Sequence, residues 1–156
     1  MMEREIGGFT YRARKLSARE QFQLVLRVAP IFGDLAPQAD SFQGGEEAML
    51  QALPAFTRAI GSLPPRQSDW LLCGLLSAVD RKEAQGLGWS PVCAGVDLLD
   101  EALHKPRIMY ADVEDDLRVT MQLAWLAFRA NLGGFFGALP SVLPGGSLKQ
   151  NAPAAG

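Results

Sequence analysis

Between Asp112 and Phe136 the chain carries its longest uninterrupted helical pattern, and the rest of the sequence has to fold around it. Val113, Leu117, Met121, Ala124, Trp125, Phe128, Leu132 and Phe135 recur mainly at steps of three and four, which stacks them on one face of an α-helix. Asp112 stands where an N-cap is expected, and Glu114, Asp115 and Asp116 place negative charge where the helix dipole favours it. Gly133 and Gly134 offer an end to the helix, although Phe135 and Phe136 keep the apolar stripe in phase across them. A face this rich in Trp and Phe must be covered, either as the spine of a core or as a docking surface. In a small domain a large apolar face is usually core.

The remaining composition narrows the class of protein. A chain of 156 residues makes one domain with a core of its own, and 48% apolar with 21% charged residues is ordinary for a globular protein. A net charge of −2 argues against general nucleic-acid binding, which needs a basic face to offset phosphate. No apolar run approaches the roughly 20 residues that span a bilayer, so no membrane partner is expected. The start, Met1-Met2-Glu3-Arg4-Glu5-Ile6, has no apolar segment of the kind a signal peptide needs. Cys73 and Cys93 form no close pair in the sequence and read as cytosolic thiols.

In chain order, Ile6 to Arg14 alternates Phe9, Tyr11 and Ala13 with Thr10, Arg12 and Arg14, the period of a half-buried strand. The basic run Arg12, Arg14, Lys15 and Arg19 reads as a solvated strand face rather than a phosphate site. Ser17-Ala18-Arg19-Glu20 is a capping box that opens a helix with Phe22, Val25, Leu26 and Ala29 as its buried stripe, to be kinked or ended by Pro30. Residues 33–45 have loop-forming composition. A helix over 46–60 turns Met49, Leu50, Leu53, Phe56 and Ile60 to one face, with Pro54 making it either kinked or two short helices. A third helix over 68–81 presents Leu71, Leu72, Leu75, Leu76 and Val79, with Trp70 anchoring its first turn. Residues 86–92 read as a turn and a short extended piece, 97–103 as two helical turns, and 108–110 as another short strand. These elements predict a mainly α, single-domain fold over residues 1–139 with one or two short strands, followed by a disordered tail over 140–156.

No catalytic, cofactor-binding or metal-ligating set stands out. His104 is the only histidine, and no local motif marks a nucleophile for it, so a structural role is expected. Asp112, Glu114 and Asp116 imitate a calcium loop, but Leu117 and Leu123 occupy the positions that need Gly and the bidentate Glu. The pairs Gly7-Gly8, Gly44-Gly45 and Gly133-Gly134 lack the companions of a phosphate loop or a dinucleotide fingerprint. Asp97, Asp100 and Glu101 read as a solvated acidic face rather than paired acids for hydrolysis.

Two stretches carry a resemblance. Gly8-Phe9-Thr10-Tyr11 with Lys15-Leu16-Ser17-Ala18, Gln21-Phe22 and Arg27-Val28-Ala29-Pro30 is the first, and Asn131-Leu132-Gly133-Gly134-Phe135-Phe136 is the second. Together with the Trp89-Ser90-Pro91-Val92 turn between them, they resemble the tail assembly chaperones of tailed phages and prophages. The resemblance implies a non-catalytic, mostly helical protein of the bacterial cytoplasm that binds the tape measure protein before the tail tube polymerises and is absent from the virion. It makes the tail tube protein and a second copy of the chain further candidate partners. The alternatives are another phage-derived interaction module, such as a dimeric tail component or adaptor, and an enzyme without short motifs. A pocket joining His104 to at least two carboxylates would favour the enzyme.

Two expectations about side chains follow. Phe22, Leu26, Leu72, Leu76, Leu117, Met121, Trp125 and Phe128 should meet in one core. Leu132, Phe135 and Phe136, joined by Phe9 and Tyr11, are candidates for a partner-binding patch, with closure of the core as the alternative role of the two phenylalanines.

Overall fold

The computed structural model describes residues 2–142. Its first element is a hairpin of β1 (Met2–Ile6) and β2 (Phe9–Ala13), with Met2 opposite Ala13 and Ile6 opposite Phe9. Gly7 and Gly8, read above as part of one strand, form the two-residue loop at φ 61° and 86°. Those angles suit the twist of paired strands, and glycine adopts them without steric cost. The capping box at Ser17 forms as expected, with the Glu20 N–H donating to Ser17 Oγ at 3.2 Å and the Ser17 N–H to Glu20 Oε1 at 3.1 Å. It opens α1 (Ala18–Val28), which gives way at Pro30 to a turn of 3-10 helix over Ala29–Ile31.

Residues 33–43 are not loop, and only Gly44 and Gly45 remain outside a helix. The chain there winds through α2 (Phe32–Leu35) and a 3-10 stretch over Ala36–Gln43, which carries Phe42 inward. α3 (Glu46–Gly61) is one helix despite Pro54, and α4 (Pro65–Leu76) ends earlier than its apolar pattern suggests. The residues beyond it form β3 (Val79–Lys82), because their backbone finds partners in β2 on one side and β4 (Trp89–Pro91) on the other. The result is an antiparallel sheet ordered β1-β2-β3-β4, with a separate two-stranded pair of β5 (Cys93–Ala94) and β6 (Arg107–Ile108). The fold is mainly α, but it holds more strand than the one or two pieces expected. Residues 97–103 make only a 3-10 turn over Glu101–Leu103, since Asp97 and Asp100 turn their carboxylates onto the following N–H groups.

The long helical pattern divides into α5 (Ala111–Glu114) and α6 (Leu117–Val142). Asp116 rather than Asp112 caps the long helix: its Oδ1 accepts from the N–H groups of Arg118 and Val119 at 3.0 and 3.3 Å. Asp112 faces Arg81 instead. Gly133 and Gly134 do not end α6, which continues to Val142. The expected disordered tail lies outside the described residues from 143 onward.

α6 touches α1, α3, α4, α5, the 3-10 stretch and three strands, so the fold is built around it. At its centre Phe42 and Phe56 pack on Trp125 and Phe128, with ring centroids 4.5 Å apart for Phe42–Trp125 and 5.2 Å for the edge-on Phe56–Trp125 pair. Leu76 and Met121 are buried as predicted, and Leu72 is partly buried against the core. Phe22, Leu26 and Leu117 are not: they are 56%, 50% and 67% exposed. On α1 the buried residues are Leu24 and Val28, which have the same four-residue spacing as Phe22 and Leu26. Periodicity alone does not choose between two equally apolar stripes, and contacts elsewhere set the rotation of the helix.

One such contact is Asn131 of α6. Its Oδ1 accepts from the Leu16 N–H at 2.7 Å and from Gln21 Nε2 at 3.3 Å, while its Nδ2 donates to the carbonyls of Arg14 and Ala127 at 3.1 and 3.0 Å. This buried amide fixes the entry to α1 against the far half of α6.

Candidate partner-binding surface

The polar groups of the sheet are spent on each other. Arg12 and Arg14 both place Nε within 3.0 Å of the buried Asp80 carboxylate, and Arg12 lies over the Trp89 ring at 4.5 Å. Arg12 and Arg14 of the basic run are therefore ion-paired, because β3 brings an acid beneath them that the local sequence does not contain, while Lys15 and Arg19 are exposed as expected. Arg81 is sandwiched between the rings of Phe9 and Tyr110 and donates to both carboxylate oxygens of Asp112 at 2.9 Å. The Tyr110 hydroxyl donates to Glu83 at 2.6 Å. Burial and that bond raise the pKa of Tyr110 above the usual tyrosine value, and the same bond holds Glu83 below the usual carboxylate range.

The two cysteines, far apart in the sequence, are neighbours in the fold. Both are buried, and the interaction between their thiols pushes the pKa of Cys73 up and that of Cys93 down from the ordinary thiol value. No group of three or more potential metal ligands occurs among the described residues. No described helix is long and apolar enough to cross a membrane.

His104 lies in a shallow cleft of about 190 Å³ that also contains Asp69 and Glu101, the residue set that would favour an enzyme. Its geometry is that of a structural side chain. The imidazole stacks on Trp70 at 5.3 Å and 23°, Nδ1 lies 3.3 Å from the Asp97 carbonyl, and buried Nε2 has no hydrogen-bond partner among the described residues. Asp69 takes the Cys73 thiol and Glu101 faces Arg27, so neither carboxylate is in position to orient the ring.

The partner patch drawn from the sequence does not assemble as expected. Tyr11 and Leu132 are fully buried, at 0% and 1% exposure, and line the core. Tyr11 faces inward because its strand alternates from the turn at Gly7-Gly8, and Leu132 because α6 is covered on both sides along most of its length. Phe9 is exposed at its edge but holds Arg81, and Phe135 is half exposed with Phe32 at 6.4 Å. The side chain of Phe136 lies outside those described.

Other apolar side chains reach solvent instead. Phe22 and Leu26, one turn apart, give α1 a second stripe that faces outward. Leu50, Leu53 and Pro54 of α3 and Leu117 of α6 line an open groove of about 760 Å³, with the buried Met121 at its floor. Leu99 and Leu103 protrude from the segment before β6. Most of these residues look like core in the sequence, because exposure of a leucine leaves no local signal.

The structure is thus a mainly α domain with several leucines and phenylalanines in solvent. The chain belongs to the phage tail assembly chaperone family: the family model described as phage tail assembly chaperone protein, TAC, matches residues 7–144. No curated protein and no solved structure matches it. Both stretches that carry the resemblance lie inside the match, and Asn131 of the second accepts from Leu16 and Gln21 of the first.

Proposed function

We propose that this protein is a non-catalytic chaperone that binds the tape measure protein in the host cytoplasm during tail assembly and is absent from the finished virion. The observation that carries this reading is the outward stripe of Phe22 and Leu26 on α1, in a chain that belongs to the tail assembly chaperones. A tape measure protein is long and largely helical, so it exposes apolar stripes until tube subunits cover them. An amphipathic helix of the client laid along α1 would bury its own stripe against Phe22 and Leu26, and Phe135 beside Phe32 would extend the contact. Each contact can be weak, because many copies act along one client.

Co-expression with the tape measure protein tests the reading. The wild-type chain should keep the client soluble and co-purify with it, and a Phe22→Ser, Leu26→Ser variant that folds should do neither. A variant that still retains the client puts the site elsewhere, with Phe135→Ser the next surface to examine. Mass spectrometry of purified particles should find tube and tape measure peptides without this chain; its presence there would contradict a chaperone role.

A further inference from the structure

The groove between α3 and α6 has the chemistry of a small-molecule site. Along α3 its wall is Leu50, Leu53, Pro54, Thr57 and Arg58, spaced so that they form one continuous stripe of the helix. On α6 the wall is the opening of the helix, Leu117, Arg118 and Met121. Leu50 is 44% exposed and Leu117 67% exposed, while Met121 closes the floor at 5%. The two leucines thus hold apolar surface in water that a ligand gains by covering.

Charge selects the kind of ligand. Arg58 and Arg118 are the only ionised side chains lining the groove, and neither makes an ion pair among the described residues. Arg58 also borders a second cleft that contains Asp34, without pairing to it. Asp116, the acid next to the α6 wall, is turned onto the N–H groups of Arg118 and Val119 as the helix cap. An apolar floor bordered by guanidinium groups suits a molecule with an apolar body and a carboxylate head, which arginine meets with well-matched donors. Size selects a single chain. From Leu50 to Arg58 the α3 wall runs about 12 Å by helical rise, and about 760 Å³ is an ordinary volume for a small-molecule site. A helix of another protein places its anchors over about two turns, whereas the α6 wall offers a single turn because the helix begins at Leu117.

We propose that this groove binds a free fatty acid of medium chain length. The alkyl chain lies along Leu50, Leu53, Leu117 and Met121, and the carboxylate sits at the border formed by Arg58 and Arg118. The site shares no residue with the outward stripe of α1, so it does not depend on a client being bound there.

The test adds sodium dodecanoate, kept below the concentration at which it forms micelles, to the full chain and follows leucine methyl signals by NMR. The signals of Leu50, Leu53 and Leu117 should shift saturably below about 1 mM, the affinity expected of a ligand this small, while that of Leu26 stays in place. Decanoate and octanoate should bind progressively more weakly, by up to about fourfold for each methylene lost. Dodecyltrimethylammonium, with the same chain and the opposite head charge, should bind at least about fivefold more weakly than dodecanoate. Arg58→Glu with Arg118→Glu should lose the dodecanoate shifts while keeping the wild-type circular dichroism spectrum, and Arg58→Gln with Arg118→Gln gives the same reading should the first variant misfold. The comparison of head groups on the wild type needs no variant at all. Absence of saturable shifts, equal binding of the ammonium amphiphile, or undiminished binding by a folded arginine variant would each overturn the proposal. So would groove signals that move with protein concentration alone, which assign the groove to another protein chain, or that respond to phosphatidylglycerol vesicles and not to dodecanoate, which assign it to a membrane surface.

Discussion

Replacing Asn131 by alanine should cost far more than the loss of one surface amide. The side chain is buried, and its four hydrogen bonds reach Leu16, Gln21, Arg14 and Ala127. Ala127 keeps its place in α6, and the half-buried Gln21 amide can turn to water, so two groups lose their partner outright: the Leu16 N–H and the Arg14 carbonyl. An unmet group in a partly buried position costs about 1–1.5 kcal/mol, which puts Asn131→Ala at roughly 2–3 kcal/mol. For a chain of this size that corresponds to a fall in Tm of about 4–12 °C. Gln21→Ala removes only the 3.3 Å bond and should cost less than about 1 kcal/mol. Urea denaturation of the two variants, followed by circular dichroism, gives both numbers. An Asn131→Ala loss below about 1 kcal/mol would mean that α1 is positioned by its apolar contacts and not by this amide.

Trp125→Ala, which empties the centre of the aromatic cluster, should lose about 3–5 kcal/mol in the same assay. Phe22→Ser should change stability by less than about 1 kcal/mol, because the ring is largely in solvent; a larger loss would place it back in the core. Gly95→Ala should destabilise by about 1–3 kcal/mol, since a Cβ at φ 75° would run into the Lys105 carbonyl and disturb the β5–β6 pair. Tyr110 has a folded pKa above its usual 10.0, so its contribution is complete below pH 10 and is lost as pH rises through the folded value. Denaturation across that range should therefore show a steeper fall for the wild type than for Tyr110→Phe, and parallel curves would remove the Tyr110–Glu83 bond as the cause.

The sequence by itself determined the elements whose signals are local. Ser17 and Glu20 close a capping box through groups three residues apart, and the run from Leu117 to Phe135 has to be a helix because its apolar side chains repeat at helical spacing. It also determined the family, since both resembling stretches are continuous in the chain. Tertiary structure decided what depended on distant partners. Which stripe of α1 is buried was settled by contacts such as Asn131, 110 residues beyond Gln21. Whether Val79 to Lys82 would be helix or strand was settled by β2 on one side and β4 on the other. Arg12 and Arg14 found an ion-pair partner because β3 delivers Asp80 beneath them, and the interaction between Cys73 and Cys93 joins residues 20 apart in the sequence. For the same reason no local pattern located the exposed leucines: a side chain is left in solvent only when every other element has found its place elsewhere.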